Sequence, residues 1–365
     1  MTVRESSIVV RPESPDSPNY TAAARLQAAG LQSAIELFVD AAGAVPIPRY
    51  PQPIVIADYG ASTGHNALLP VTAAITALRG RTRKEHPILV AHTDVPDNDF
   101  TALFQTLTAD PDSYLHKDAA VFCSAVGRSF YQQLLPSQSV SLGWSSWAIH
   151  WLSKTPTPVP DHILPALSDD DRTRAACERQ AAQDWQEFIA FRGRELGGDG
   201  RLVVLTMGVD ESGRPGLLPL VDLLYGALTQ LVGSGLISAE ELRAMSIPLV
   251  GRGEKDFAAP FAPKDRFEGL SIEHLEVFDP GDRYFQQFTV DNDANALGAK
   301  WASFLRASVF GCLTAALSGG HDDPRATELC DRLERSIATQ VAAAPARIPM
   351  PLAKVVLRKH PRTRD

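Results

Sequence analysis

A glycine-rich loop at residues 58–66, with the sequence DYGASTGHN, is the first segment whose residue types could do chemistry. It follows an apolar, β-branched run and precedes a helical one, so its glycines allow a tight turn and close approach of the backbone to a ligand. Asp94 ends the next apolar run, about thirty residues further on, and a carboxylate there can accept hydrogen bonds from ribose hydroxyls. The loop and Asp94 together predict a site for an adenosine-containing cofactor.

The same loop fits other kinds of site. Residues 60–64, GASTG, match the GxSxG turn of α/β-hydrolases, in which Ser62 would be the nucleophile. That mechanism needs a histidine later in the chain. His274 and His321 come late enough, but neither stands in a sequence that resembles a loop at the end of a strand. Asp58, at the start of the loop, has no role in such a mechanism. A dinucleotide site is disfavoured because the GxGxxG spacing is absent. A glycine turn without a ligand stays open, although it leaves the two strand-end aspartates unexplained.

Alternating strands and helices must position this loop. Apolar runs at 53–60 and 87–94 flank an Ala/Leu-rich helical stretch, which is the pattern of a βαβ unit. Further runs at 119–126 and 201–208 extend it to a mostly parallel sheet with helices on both faces. The predicted fold class is α/β with a doubly wound, Rossmann-like sheet, which binds ligands at the carboxyl ends of its strands.

The rest of the chain predicts a cap over the open end of this sheet. Residues 213–317 are mainly helical, and residues 251–270 mix Gly, Pro and charge as a loop or lid does. The basic residues at 358–364 are expected to form a frayed end. The expected domains are a cofactor-binding domain with an N-terminal substrate-gating segment at 1–210, a mainly helical cap at 211–320, and a C-terminal helix and tail at 321–365.

Composition excludes several classes of function. Of the 365 residues, 44% are hydrophobic and 21% charged, as in ordinary globular proteins, and no apolar run has transmembrane length, so no membrane is expected. The net charge of −8 argues against nucleic acid as a partner, because a phosphate backbone needs a basic surface. The N-terminus does not resemble a secretory signal, so a cytoplasmic location is expected. The four cysteines lack ligand spacing, so neither disulfides nor a metal site is predicted.

Beyond the glycine loop, the chain resembles the SABATH family of carboxyl and N-methyltransferases from about Tyr20 to Phe310. The matching pieces follow the family's order and are Tyr20 with Gln27, IADYGASTGHN (56–66), TDVPDNDFTALFQTL (93–107), VGRSFYQQLLP (126–136), WSSWAIHWLSKTP (144–156) and GLISAEELRAMSIP (235–248). Together these ordered pieces are specific, whereas any one alone is weak. The resemblance implies a class I methyltransferase fold with a helical cap, S-adenosylmethionine as the cofactor, and a homodimer.

The resemblance also implies roles for individual residues. The cofactor contacts carried over by position are Tyr20, Gln27, Asp58, Gly60, Asn66, Asp94, Val95, Ser129 and Phe130. Asp94 would hold the ribose hydroxyls, and Ser129 with Phe130 would lie beside the adenine. Gln27 and Trp151 would hold the carboxylate of an acid substrate through an amide N–H and an indole N–H, which makes them the catalytic candidates.

A carboxylate acceptor suits these residues chemically. An acid with a pKa of about 4 to 5 is already ionised at neutral pH, so methyl transfer to it needs no general base. The protein must align the carboxylate and exclude water, and neutral donors orient an anion without quenching it as strongly as a lysine would. Taken singly, Trp151 also fits a core position and Gln27 a helix surface. A catalytically silent sensor or partner subunit is a further alternative, because fold alone does not establish function.

The predicted walls of the acid site differ from those of family members that take flat aromatic acids. Val221 and Val250 stand where aromatic side chains sandwich the ring in those members, and Gly208 replaces a larger aliphatic residue. Small residues predict a wide, aliphatic cavity, so we expect a medium-chain fatty acid or another bulky aliphatic acid, with N-methylation as the alternative chemistry. The predicted substrate-binding residues are Gln27, Trp147, His150, Trp151, Val221 and Val250.

Overall fold

Strands and helices alternate through the first half of the chain, as the apolar runs predict. The computed structural model describes residues 18–361, with side chains from Leu31 onward. The strands are β1 (Ile54–Tyr59), β2 (Ile88–Asp94), β3 (Val121–Gly127), β4 (Val140–Ser146), β5 (Leu196–Met207), β6 (Leu270–Phe278) and β7 (Leu352–Lys359). The helices are α1 (Pro18–Ala44), α2 (His65–Arg79), α3 (Phe100–Ala109), α4 (Tyr114–Lys117), α5 (Asp171–Glu195), α6 (Leu218–Gly233), α7 (Ala239–Ala244), α8 (Glu254–Ala258), α9 (Arg283–Asp291), α10 (Ala294–Ser308), α11 (Phe310–Thr314) and α12 (Ala326–Ala343).

The strands form one sheet of seven in the order β3-β2-β1-β4-β5-β7-β6. Strands β1 to β5 are parallel, and β7 runs antiparallel between β5 and β6. The strand order reverses between β1 and β4, and in doubly wound sheets ligands bind outside the carboxyl ends at that reversal. The predicted α/β class with a mostly parallel, Rossmann-like sheet is therefore confirmed. No described helix is long and apolar enough to cross a bilayer.

The sequence analysis missed three strands, β4, β6 and β7. The prediction of a frayed basic end is wrong for the described residues, because β7 lies inside the sheet and its apolar side chains are buried. Its cations have partners at the sheet margin: Lys354 pairs with Glu276 at 2.9 Å, and Arg358 pairs with Asp199 at 2.7 Å. Strands therefore lie both in the stretch predicted to be mainly helical and in the C-terminal segment, and the division into domains stays a prediction.

The segment 251–270, expected as a loop or lid, packs against α5. It contains α8, and Phe257 and Phe261 within it are buried. The Phe257 ring meets the Trp185 ring edge to face with centroids 5.1 Å apart, and the Trp185 indole N–H donates to the Phe257 carbonyl at 3.0 Å. These contacts make the segment part of the core on that side of the sheet.

A buried ion pair joins α5 to the segment between β3 and β4. Arg192 donates to Glu195 at 2.9 Å, and both side chains are fully buried. The same two groups hold the connecting segment, because Arg192 donates to the Phe130 carbonyl at 2.8 Å and Glu195 accepts from the Leu134 amide at 2.6 Å. The Tyr59 hydroxyl also donates to Glu195, at 2.8 Å. Phe130 is thus fixed at the end of the sheet through its own backbone.

We expect Glu195→Ala to lower the free energy of unfolding by about 3 to 5 kcal/mol, because it leaves the Arg192 charge buried and unpaired. Glu328→Ala is the matched control, since Glu328 forms a half-exposed helical pair with Arg332 and should cost less than about 1 kcal/mol. Urea unfolding followed by circular dichroism measures both. Similar losses in the two variants would contradict the role given to the buried pair.

Candidate active site

The glycine loop turns back over the end of β2. The amides of Gly60 and Ala61 both donate to the Thr93 carbonyl, at 2.9 and 3.0 Å. Gly60 has φ 88° and Ser62 has φ 49°, in the left-handed region that most residues avoid. A Cβ at position 60 would lie 2.4 Å from the Cβ of Ala148. Glycine is therefore required there both by the turn and by the close approach of a second segment.

Asp94 lies beside the loop and faces the cavity described below. Its two carboxylate oxygens accept from the amides of Ser62 at 2.7 Å and Val95 at 2.8 Å. Burial raises the pKa of Asp94 to about 6; the two amides act in the opposite direction, and the nearby Asp58 adds to the rise. The Asn98 side-chain amide completes the loop by donating to the Ser62 carbonyl at 2.9 Å. The remaining lone pairs of Asp94 are available to hydroxyl donors.

A buried chain of three side chains holds Asp58. Its Oδ2 lies 2.8 Å from Nδ1 of His92, and Nε2 of His92 lies 2.8 Å from the hydroxyl of Tyr114. Burial raises the pKa of Tyr114 well above its ordinary value, so the hydroxyl keeps its proton. That hydroxyl can donate to a neutral imidazole or accept from a protonated one, so the Asp58 carboxylate stays oriented in either state. His92 and Tyr114 carry no recognisable motif and were not predicted.

Asp58, Gly60, Ser62 and Asp94 line a cavity of about 1540 Å³, counting its part open to solvent. Every predicted cofactor contact whose side chain is described lines this cavity. They are Asp58, Gly60, Asn66, Asp94, Val95, Ser129 and Phe130. Tyr20 and Gln27 lie in α1 before Leu31, so their side chains fall outside the described residues. The geometry thus brings together residues from β1, β2 and the segment after β3.

The same cavity holds part of the predicted acid site. Trp147, His150 and Trp151 line it. Val221 and Val250 lie elsewhere: Val221 is buried in the core, and Val250 packs on a small cluster beside α5. Apolar lining residues that were not predicted include Met207, Leu217, Leu249, Phe304, Ala307 and Val309. Met207 and Leu249 are the neighbours of Gly208 and Val250, so a shift of one residue separates prediction and structure there.

The segment from Trp147 to Trp151 is held by backbone contacts. Trp147 has φ 57°, and its amide donates to the Leu205 carbonyl at 3.0 Å. The Tyr131 hydroxyl donates to the Trp151 carbonyl at 2.8 Å. The indole N–H of Trp147 is buried and has no hydrogen-bond partner among the described residues. An unpaired buried donor on a cavity-lining residue is a feature expected where a ligand supplies the acceptor.

His150 lies between the two tryptophans as a neutral side chain. Burial lowers its pKa to about 3, and Arg252 adds to the lowering. Its Nδ1 is 3.4 Å from the hydroxyl oxygen of Thr206, and its ring centroid is 5.3 Å from that of Trp151. At neutral pH this imidazole therefore offers hydrogen-bonding groups and no charge.

The hydrolase alternative needs a histidine late in the chain to act on Ser62, and neither of the two candidates lies beside it. His274 lies on β6, 3.4 Å from Glu276, and His321 lies 3.2 Å from the hydroxyl of Thr314. Neither lines the cavity that contains Ser62. The backbone amide of Ser62 donates to Asp94.

Comparison with known proteins agrees with this geometry. A model of the SAM dependent carboxyl methyltransferase family matches residues 13–359. The benzoic acid/salicylic acid carboxyl methyltransferase 3 of Petunia hybrida is 34% identical over 214 residues, 54% of this chain and 59% of that protein. The salicylate carboxymethyltransferase of Clarkia breweri is 29% identical over 252 residues, 66% of this chain and 67% of that protein.

A solved structure of a loganic acid methyltransferase with SAH has the same fold, with a TM-score of 0.75 at 20% identity, covering 96% of this chain and 99% of that one. The chain spans less than two thirds of the length of the first curated relatives that it matches. The family match confirms the predicted relationship and, with it, the predicted cofactor, S-adenosylmethionine. This chain belongs to the family of SAM-dependent carboxyl methyltransferases.

Proposed function

We propose that the protein transfers a methyl group from S-adenosylmethionine to the carboxylate of a small organic acid and forms a methyl ester. The observation that carries this proposal is one cavity that is lined both by the predicted cofactor contacts and by Trp147, His150 and Trp151. The relatives named as carboxyl methyltransferases of benzoic and salicylic acid support a carboxylate as the acceptor. The homodimer implied by the resemblance and the cytoplasmic location expected from the sequence are part of the same proposal.

The described residues fit the cofactor. Gly60 contributes loop backbone to the cavity lining, and Asp94 presents carboxylate lone pairs for ribose hydroxyls. Phe130 offers a flat apolar surface, held edge-on by Phe188 with ring centroids 5.8 Å apart. When bound, the cofactor supplies an electrophilic methyl group on a positively charged sulfonium. The two carboxylates of Asp58 and Asp94, which both line the cavity, favour a cationic ligand near them.

The described residues of the predicted acid site suit an anion that needs no general base. A buried indole N–H without an acceptor costs about 1 to 3 kcal/mol, and a carboxylate oxygen close to Trp147 would remove that cost. We propose that Trp151, with Gln27 from α1, orients the carboxylate as the resemblance implies. The neutral His150 completes the wall without placing a second cation beside the sulfonium. These groups align the acid, and the aromatic walls exclude water.

The apolar lining favours an aliphatic acid. Met207, Leu217 and Leu249 are flexible aliphatic side chains in the lining, and Phe304 on α10 adds an aromatic ring. Flexible walls adapt to an alkyl chain more readily than they stack on a flat ring. We therefore keep a medium-chain fatty acid or another bulky aliphatic acid as the proposed substrate class.

Cofactor affinity should fall at acid pH because Asp94 takes up a proton. Its pKa of about 6 lies above the ordinary value, so in the free protein the carboxyl is protonated as the pH drops below 6. If only the ionised form accepts the ribose hydroxyls, the affinity for S-adenosylhomocysteine falls about ten-fold from pH 7.5 to pH 5. Calorimetry measures this. Asp94→Asn should bind weakly with a flat pH profile, and a pH-dependent profile in that variant would assign the effect to another group.

Trp151→Phe should separate acid binding from cofactor binding. It keeps most of the ring and removes the indole N–H, so kcat/KM for the acid should fall about ten- to 150-fold, the worth of a charge-assisted hydrogen bond. The affinity for S-adenosylhomocysteine should stay near the wild-type value. Trp301→Phe is the control, because Trp301 is buried outside the cavity lining. Equal losses of acid and cofactor binding in Trp151→Phe would show that Trp151 only packs.

Acid affinity should rise with chain length until the cavity is full. Each buried methylene adds about 0.8 kcal/mol, so hexanoate, octanoate and decanoate should be methylated with increasing kcat/KM. A methyl-transfer screen with labelled cofactor, including salicylate and benzoate, measures this order. A clear preference for the aromatic acids would overturn the proposed substrate class, and activity confined to amines or ring nitrogens would replace the carboxylate chemistry with N-methylation.

A further inference from the structure

Arg252 is a cation with almost no solvent access, at 2% exposure. Its guanidinium donates to the carbonyls of Ile149 at 2.6 Å and Ala181 at 2.9 Å. Among the described residues it forms no ion pair within 4 Å, so backbone dipoles are what solvate its charge. Burial lowers the pKa of Arg252, yet a guanidinium remains protonated in proteins. The protein therefore stores a positive charge in its interior.

The hydrogen bonds of Arg252 place this charge behind the proposed acid site. Ile149, which accepts from the guanidinium, is bonded directly to His150, which lines the cavity. The amide of Val250 donates to the His150 carbonyl at 2.9 Å, and Trp151 pairs with Leu249 through an isolated bridge. The chain from Leu249 to Arg252 thus forms the backing of the wall.

The acidic groups that face Arg252 are Asp184 and Asp256, together with the phenol of Tyr131. Asp184 accepts from the amide and hydroxyl of Ser153 at 2.8 and 2.6 Å. Asp256 accepts from the Gly253 amide at 2.8 Å, at the start of α8. Both carboxylates are thus bound to other donors, and neither makes contact with the guanidinium.

The charge of Arg252 acts on His150, which lines the cavity. Besides burial, Arg252 is what disfavours the protonated form of His150 and lowers its pKa. The low dielectric of a buried wall lets such a field act over several ångströms. A field that opposes a cation on His150 must favour an anion placed against the same wall.

We propose that Arg252 is a positioning residue that selects ionised acids: its buried charge attracts a carboxylate to the wall formed by residues 147–151, without touching the substrate. This inference rests on the proposed function, because it assumes that the acid lies at that wall. It adds a determinant from a part of the chain that the sequence analysis treated as a loop. It also explains why a buried guanidinium is retained where an apolar side chain would cost less to bury.

The test compares an acid with its uncharged amide. Octanoate and octanamide are titrated by calorimetry into the full chain saturated with S-adenosylhomocysteine, using the wild type, Arg252→Met and Arg252→Lys. We expect Arg252→Met to lose about ten-fold or more in octanoate affinity and less than about two-fold in octanamide affinity. Arg252→Lys should recover most of the octanoate affinity. Should the methionine variant fail to fold, Arg252→Gln supplies a neutral side chain that still donates to the carbonyls.

A second readout does not depend on the acid. The pKa of His150, followed by the nitrogen shifts of its imidazole in NMR spectra, should rise in the neutral variants and return toward the wild-type value in Arg252→Lys. Equal losses for acid and amide, or an unmoved His150 pKa, would overturn the proposal and leave Arg252 a structural residue. Failure of both probes to bind the wild type overturns it together with the proposed function, whereas selective binding without methyl transfer counts against the proposed function alone.

Discussion

Two backbone hydrogen bonds to one carbonyl oxygen hold the site together. Because Gly60 and Ala61 both donate to Thr93, the loop after β1 must fold over the end of β2, where Asp94 follows directly. Asp94 then receives the Ser62 amide, and the absent Cβ of Gly60 leaves room for Ala148. One turn thereby fixes Asp94, the proposed acceptor for the cofactor, and also lets the segment with Trp147 and Trp151 approach it. A larger residue at position 60 would push the segment with Ala148 away from the loop.

Placing Asp94 in this turn costs stability. Its pKa is higher in the folded chain than the ordinary 3.8, which means that folding disfavours the ionised form. A rise to about 6 corresponds to about 3 kcal/mol at neutral pH. This loss of folding stability is fully present above pH 6 and disappears as the pH falls toward 3.8, because the carboxyl then binds a proton in the folded and the unfolded chain alike. A cationic ligand whose hydroxyls bind the carboxylate would offset that penalty, as is common for groups in binding sites.

The elements predicted from the sequence are those that depend on residues close together in the chain. Apolar runs with Asp58 and Asp94 near their ends located β1 and β2, and the ordered family motifs located residues that line one cavity. The missed strands differ from that pattern. β4 contains serines and a glycine, and its polar groups find hydrogen-bond partners inside the sheet: the Ser145 hydroxyl donates to the Tyr59 carbonyl at 2.9 Å. β7 carries cations whose partners, Asp199 among them, lie far away in sequence. The roles of His92 and Arg252 likewise depend on contacts between distant segments, which no local spacing reveals.

The charges around the cavity suit both proposed ligands. Asp58 and Asp94 contribute carboxylates to its lining, whereas the neutral His150 and the unpartnered indole N–H of Trp147 contribute polar groups without negative charge, and the Arg252 charge lies behind His150. In the proposed function, the carboxylates attract the sulfonium, and Arg252 and the indole N–H attract the carboxylate of the acid. Because these charges are buried, salt screens them weakly. The proposed methyl transfer then needs no proton to move, because the acid is already ionised at neutral pH.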